Sequence, residues 1–146
     1  MILTSKNNPL IKETAALKEK KARKEQGMFL VEGRKMCAEC QTSNFEIDRV
    51  FISESYDGAA FFEEEKIVRV SDEVFRFLSD EKTPQGILCR VKIPIRLLEM
   101  PQKSCLLLDG VSDPGNVGTI IRTANAAGYE EIYLTEDCAD PYAPKS

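Results

Sequence analysis

The chain has 146 residues, 42% hydrophobic and 30% charged, with a net charge of −4 and no histidine. No apolar run approaches the roughly 18 residues that a membrane helix needs, and no signal or transit peptide opens the chain, so a cytoplasmic protein with no membrane partner is expected. Five cysteines, an odd number at irregular spacing with no histidine to share a metal, argue against a disulfide framework and against a metal site.

In chain order, the pattern predicts a helix from about Pro9 to Glu25, with Leu10, Ile11, Ala15, Leu17 and Ala22 as its buried stripe. Lys18, Lys20, Lys21, Arg23 and Lys24 fall within seven residues of this segment. A turn at Gln26-Gly27 leads into a strand, Phe29 to Val31, and a helix follows from Arg34 to Gln41. Cys37 and Cys40 form a C-x-x-C, but without a second pair it reads as structural. Asp48 to Ser53 is the next strand, Glu54 to Ala60 a loop, and Glu63 to Glu65 a solvated charge run. Lys66 to Val70 is strand-like, and Ser71 caps a short helix through Leu78. Thr83-Pro84-Gln85-Gly86 turns into the strand Ile87 to Val91. This alternation suits a three-layer α/β/α domain over residues 1–92.

Residues 93–103, with two prolines bracketing a short apolar piece, read as a linker. A second unit spans 104–146. Cys105 to Leu108 is a buried parallel strand running to Asp109, and a turn rich in Gly, Ser, Asp and Pro follows. A helix starting near Gly115 or Asn116 then runs to Ala127, and Glu131 to Thr135 is a second strand. Strand, turn and helix in series build a ligand site at a strand's carboxyl end. The glycines Gly110, Gly115 and Gly118 do not make the G-x-G-x-x-G of a dinucleotide site, which weakens an oxidoreductase reading, and no G-K-[ST] phosphate loop occurs. Arg122 sits among Ile, Ala and Thr. A guanidinium that keeps its charge there either snorkels to solvent or meets an anionic partner.

Charge is distributed unevenly. Residues 1–35 hold nine Lys or Arg against four Glu, while the rest of the chain holds eleven against twenty acidic residues. A basic arm on an acidic body marks an end that binds a polyanion, and a solvated amphipathic helix gives the same pattern.

Asp113, Pro114, Asn116, Gly118, Arg122 and Ala124 fall at the spacing of the first signature motif of the SpoU/TrmH family of RNA ribose methyltransferases, which the segment resembles. The family belongs to the knotted SPOUT class. Residues 4–33, through Ser5, Asn8, Pro9, Lys12, Leu17, Lys21, Arg23, Gly27, Phe29, Glu32 and Gly33, resemble the opening of the family's substrate-binding domain. Thr83 to Gly86 is similar to a segment near that domain's end. The resemblance implies an α/β chain: an RNA-binding domain folded like a small ribosomal protein, then an incomplete α/β-knot methyltransferase domain. Two later family motifs, which tie the knot, bind S-adenosyl-L-methionine and build the homodimer, are missing from 104–146. A truncated and inactive fragment of an enzyme acting on rRNA or tRNA is therefore expected, with its cofactor contacts beyond the chain and no metal.

By the same resemblance Arg122 is the catalytic arginine, stabilising the ribose 2′-oxygen as it loses its proton and holding the adjacent phosphate. Asn116 would fix the arginine or the ribose, and a plain helix-cap role is the competing reading. Lys20, Lys21, Arg23, Lys24 and Arg34 are the candidate RNA contacts, while Glu32 and Gly33 serve the fold. A non-catalytic RNA-binding module is the alternative function.

Overall fold

The computed structural model describes residues 1–58, 62–94, 105–108, 110–126, 131–134 and 140–142, with backbone only for 105–108, 124–126 and 131–134. The chain forms two compact units, Met1–Pro94 and Ile95–Ser146.

The first unit is a five-stranded sheet with helices on both faces. Its elements are β1 (Ile2–Leu3), α1 (Pro9–Ala15), α2 (Lys20–Gln26), β2 (Met28–Glu32), α3 (Arg34–Thr42), β3 (Ile47–Ser53), β4 (Ile67–Val70), α4 (Asp72–Leu78) and β5 (Ile87–Lys92). The strand order is β1-β4-β3-β5-β2. β1, β4 and β3 pair in parallel, and β5 pairs antiparallel with both β3 and β2. Four strands therefore share one direction and only β5 opposes them.

Alternation along the strands divides the core. Phe51 of β3, Val70 of β4 and Leu88 of β5 meet Ile11 of α1 and Val74, Phe75 and Leu78 of α4 in one buried cluster. On the other face α3 packs on β2 and β5. There Cys37, Cys40 and Cys89 are buried, and the Cys37 thiol donates to the Val31 carbonyl at 3.4 Å.

Local signals set most boundaries. The Asn8 side chain accepts from the Leu10 N–H at 2.9 Å, with Pro9 at the first helical position where its missing N–H costs nothing. Ser71 caps α4 by accepting from the Val74 N–H at 3.2 Å. Gly27 ends α2 at φ 66°, a left-handed conformation glycine enters without a Cβ penalty.

The single helix expected over Pro9 to Glu25 is instead three pieces. A 3-10 turn, Ala16–Lys18, follows α1, and Glu19 is extended at φ −100° and ψ 139° before α2 begins. A straight helix of that length would run about 26 Å and could not turn back to start β2. The carbonyls exposed by the break are met by Arg23, whose Nη1 donates to the Leu17 oxygen at 2.9 Å and the Lys18 oxygen at 2.8 Å. Only two residues long, β1 escaped sequence patterning altogether.

A second buried arginine ties α1 to the sheet. Arg90 of β5, 4% exposed, donates through Nε to the Asp48 carboxylate at 2.8 Å and through Nη1 to the Thr14 hydroxyl at 3.1 Å, with Glu13 at 3.5 Å.

In the second unit β6 (Cys105–Leu108) and β7 (Glu131–Leu134) pair in parallel, joined through α5 (Pro114–Ala126). The helix begins at Pro114, ahead of the expected Gly115 or Asn116. Of the expected linker, residues 95–103 lie outside the described residues, as do the expected element ends at 109, 127 and 135.

Replacing Arg90 by Met should lower the unfolding free energy by about 3 kcal/mol in urea titration, because the poorly hydrated Asp48 carboxylate loses its hydrogen-bonded partner and keeps only Arg49 at 3.7 Å. The double variant Arg90→Met, Asp48→Asn should recover part of that loss.

Candidate functional site

Chemistry in the second unit centres on the start and outer flank of α5. Gly110, at φ 67°, turns the chain after β6. Asp113 then caps the helix: its Oδ1 accepts from the Gly115 N–H at 2.8 Å and its carbonyl from the Val117 N–H at 3.0 Å, with Pro114 in the first helical position. Asn116 is therefore not the cap. It lies exposed in the first turn, leaving its amide for another use.

Val117 and Gly118 are buried, while Asn116, Thr119, Arg122 and Thr123 are exposed. Asn116, Thr119 and Arg122 follow at intervals of three, so they step along one flank. Arg122 Nη2 donates to the Thr119 hydroxyl at 3.3 Å, a long bond that orients the side chain loosely along the helix. Its remaining donors can meet an oxyanion or a phosphate. An amide, hydroxyls and a guanidinium suit a ribose and its phosphates. An adenine with a sulfonium needs an apolar walled pocket, which these exposed side chains do not make.

The five basic residues proposed as polyanion contacts fall into three environments in the first unit. Lys20, Lys21 and Lys24 are exposed on α2. Arg23 is 4% exposed and clasps the Leu17 and Lys18 carbonyls, so its guanidinium holds the helix break and is not presented to a ligand. Arg34 is exposed at the start of α3. Its guanidinium lies 5.3 Å from the Tyr56 ring centroid and 3.2 Å from Asp57, and its backbone N–H donates to Gln85 Oε1 at 2.8 Å.

Beside Gln85 the structure opens a cleft of about 170 Å³ lined by Ser53, Ser55, Asp72, Arg76, Gln85 and Gly86 among others. Asp72 fixes Ser55, accepting from its hydroxyl at 2.8 Å and from its N–H at 3.2 Å. Gly86 adopts φ 96°, and a Cβ there would meet the Ser53 Oγ at 2.6 Å. Sequence reading missed the cleft because its walls come from separate loops, gathered only by the shared direction of β3 and β4. The available signal was the rule that ligands sit beyond strand carboxyl ends.

Glu32 and Gly33 serve the fold at this rim. The Ser79 hydroxyl and the Asp80 N–H, the latter at 3.1 Å, donate to the Glu32 carboxylate, and Gly33 is at φ 99°. Cys37, Cys40 and Cys89 form a buried thiol cluster. Burial, then the neighbouring Cys37, raises Cys40 from 9.0 to about 11, and a hydrogen bond with Cys37 followed by burial raises Cys89 strongly. Among the described residues no group is arranged to hold a metal ion.

Comparison with known proteins assigns both units. The model of the MRM3-like substrate binding domain matches residues 8–89, and that of the SpoU rRNA Methylase family matches 103–146. The chain is 33% identical to an uncharacterised tRNA/rRNA methyltransferase of Synechocystis, aligning 98% of itself with 56% of that protein. It is 30% identical to the 23S rRNA (guanosine(2553)-2′-O)-methyltransferase of Bacillus subtilis over 99% of itself and 58% of the relative. A crystal structure of an AdoMet-bound rRNA methyltransferase from Sinorhizobium meliloti superposes with a TM-score of 0.79 at 26% identity, over 99% of this chain and 58% of that one. The chain thus spans little more than half the length of these relatives.

Two expectations follow from the geometry. Arg23→Gln should destabilise the first unit by about 2 kcal/mol in chemical denaturation, since two buried carbonyls lose a charged donor. The Cys40 thiol, raised in the fold, favours the neutral form; its contribution is full below pH 9 and is lost as the pH climbs through about 11. The denaturation midpoint should fall across that window, and less so in Cys40→Ala.

Proposed function

Because the chain belongs to the SpoU/TrmH family of RNA ribose methyltransferases, we propose that it carries the substrate-handling half of an S-adenosylmethionine-dependent RNA 2′-O-methyltransferase. The first unit holds a structured rRNA or tRNA, and the second presents the motif arginine to the target ribose. The observation that carries this reading is the solvent-facing Arg122 on a helix fixed by its Asp113-Pro114 cap at the end of a strand.

In the reaction the ribose 2′-hydroxyl would pass its proton to water as its oxygen takes the methyl group, and the bound cofactor's sulfur would leave as a neutral thioether keeping the electron pair of the broken carbon–sulfur bond. The cofactor, when bound, supplies that methyl on a sulfonium. A sugar hydroxyl is a poor nucleophile, so the site must align it and stabilise the charge it gains. Arg122 does so by donating to the 2′-oxygen and to the neighbouring phosphate. A guanidinium retains its proton at any working pH, so its role is electrostatic and not that of a base. Asn116, on the same flank and released from capping, positions the ribose. The cofactor pocket and the homodimer contact belong to the part of the family's catalytic domain that lies outside this chain, and no metal is required.

RNA affinity in the first unit comes from Lys20, Lys21 and Lys24 on α2, joined by Arg34 at the cleft. The exposure of the three lysines and the open rim beside Arg34 support this division. Arg23 contributes by holding α2 at its angle.

In a protein completed by the family's remaining catalytic part, Arg122→Ala should cut methyl transfer by about 10²–10³, the usual loss of one oxyanion donor, while RNA affinity stays within about threefold. Normal transfer in that variant would remove Arg122 from the reaction and leave an RNA-binding module. In filter-binding assays across a salt series, Lys20→Gln, Lys21→Gln and Lys24→Gln together should lower the slope of log affinity against log salt by roughly two.

A further inference from the structure

Phe77 stands apart on α4. The helix buries Val74, Phe75 and Leu78, yet Phe77 keeps 38% of its surface exposed. Two ammonium groups from distant parts of the chain converge on its ring. Lys6 Nζ, between β1 and α1, and Lys18 Nζ, in the 3-10 turn, each lie 5.9 Å from the ring centroid. Lys18 is anchored there, donating to the Phe77 carbonyl at 2.7 Å. Lys6 is tethered at 3.3 Å to Glu73, one turn earlier on α4, through a solvent-exposed ion pair that costs little to open.

A partly exposed aromatic ring with two cations held over it, one of them (Lys6) free to swing off through its weak tether, is complementary to one ligand chemistry above others: a flat base joined to phosphates. We infer that Phe77, Lys6 and Lys18 form a stacking platform for an unpaired nucleotide of an RNA strand. The base lies on the ring, and the phosphates on either side of it take the two ammonium groups. This site rests on the reading of the first unit as RNA-binding and is separate from the lysines of α2 and from the cleft beside Arg34. Every base has a π face, so the platform selects single strands and not sequences. In a duplex the base faces are stacked on their neighbours, so duplex RNA can meet the lysines and leaves the ring unused.

The chain has no tryptophan, so Phe77→Trp introduces a single indole whose fluorescence reports on the platform. Titrating that variant with a single-stranded oligouridine should quench the signal saturably. Phe77→Ala should weaken binding of the same oligomer roughly tenfold with little change in salt dependence. Lys6→Gln and Lys18→Gln should each lower the salt slope by about 0.7. Duplex RNA of equal length should bind Phe77→Ala and the unaltered chain alike. Equal affinity of the unaltered chain and Phe77→Ala for the single strand, or an equal loss on the duplex, would overturn the platform. If the unaltered chain binds neither RNA, the RNA-binding reading of the first unit fails, and the platform with it.

Discussion

Four of the five strands of the first unit run in one direction, and that constraint arranges everything around them. Their carboxyl ends lie along one rim, so the loops after β2, β3 and β4 meet there with the opposing start of β5. Gly33, Arg34, Ser53, Ser55 and Asp72 are neighbours of Gln85 and Gly86 for this reason, although up to 53 positions separate them in sequence. The strand order also makes the chain cross from β1 at one edge to β2 at the other. The crossing segment carries the densest run of positive charge in the molecule, and Arg90 fastens its first helix to β5 through Thr14 and Glu13.

What was legible beforehand was the chemistry of beginnings and ends. Asn8-Pro9, Gly27 and Ser71 each carry a local hydrogen-bonding or conformational reason to start or stop a helix, and the structure uses all three. The strands around Val50, Val68 and Leu88 followed from their apolar runs. The break at Glu19 was hidden because the apolar stripe continues across it. Nothing in the order of residues reveals that Arg23, one of five cations in seven positions, turns inward to close the gap. Counting charge cannot separate a guanidinium that satisfies two carbonyls from a lysine that faces solvent; only the fold does so.

In the second unit the same cap chemistry sits at Asp113-Pro114, inside a stretch whose Gly, Ser, Asp and Pro read as a turn, so the helix begins one or two residues before the expected Gly115 or Asn116. That small shift matters for Asn116. Moved from the cap into the first turn, it exchanges a structural duty for a free amide on the flank that carries Thr119 and Arg122. The motif resemblance located Asn116 and Arg122, whereas their exposure comes from the helix and its buried Val117 face. The cleft beside Arg34 had no such pointer, since no one of its wall-forming segments is remarkable by itself.

The clasp of Arg23 on the Leu17 and Lys18 carbonyls has an entropic meaning as well as a structural one. A mobile basic arm would have to give up its conformational freedom each time it captured a polyanion. By locking the joint between the 3-10 turn and α2, one buried guanidinium spends that entropy during folding, so that the exposed lysines of α2 would meet a polyanion as a preorganised array. A single inward-facing cation would thereby raise the effectiveness of its outward-facing neighbours without touching what they bind.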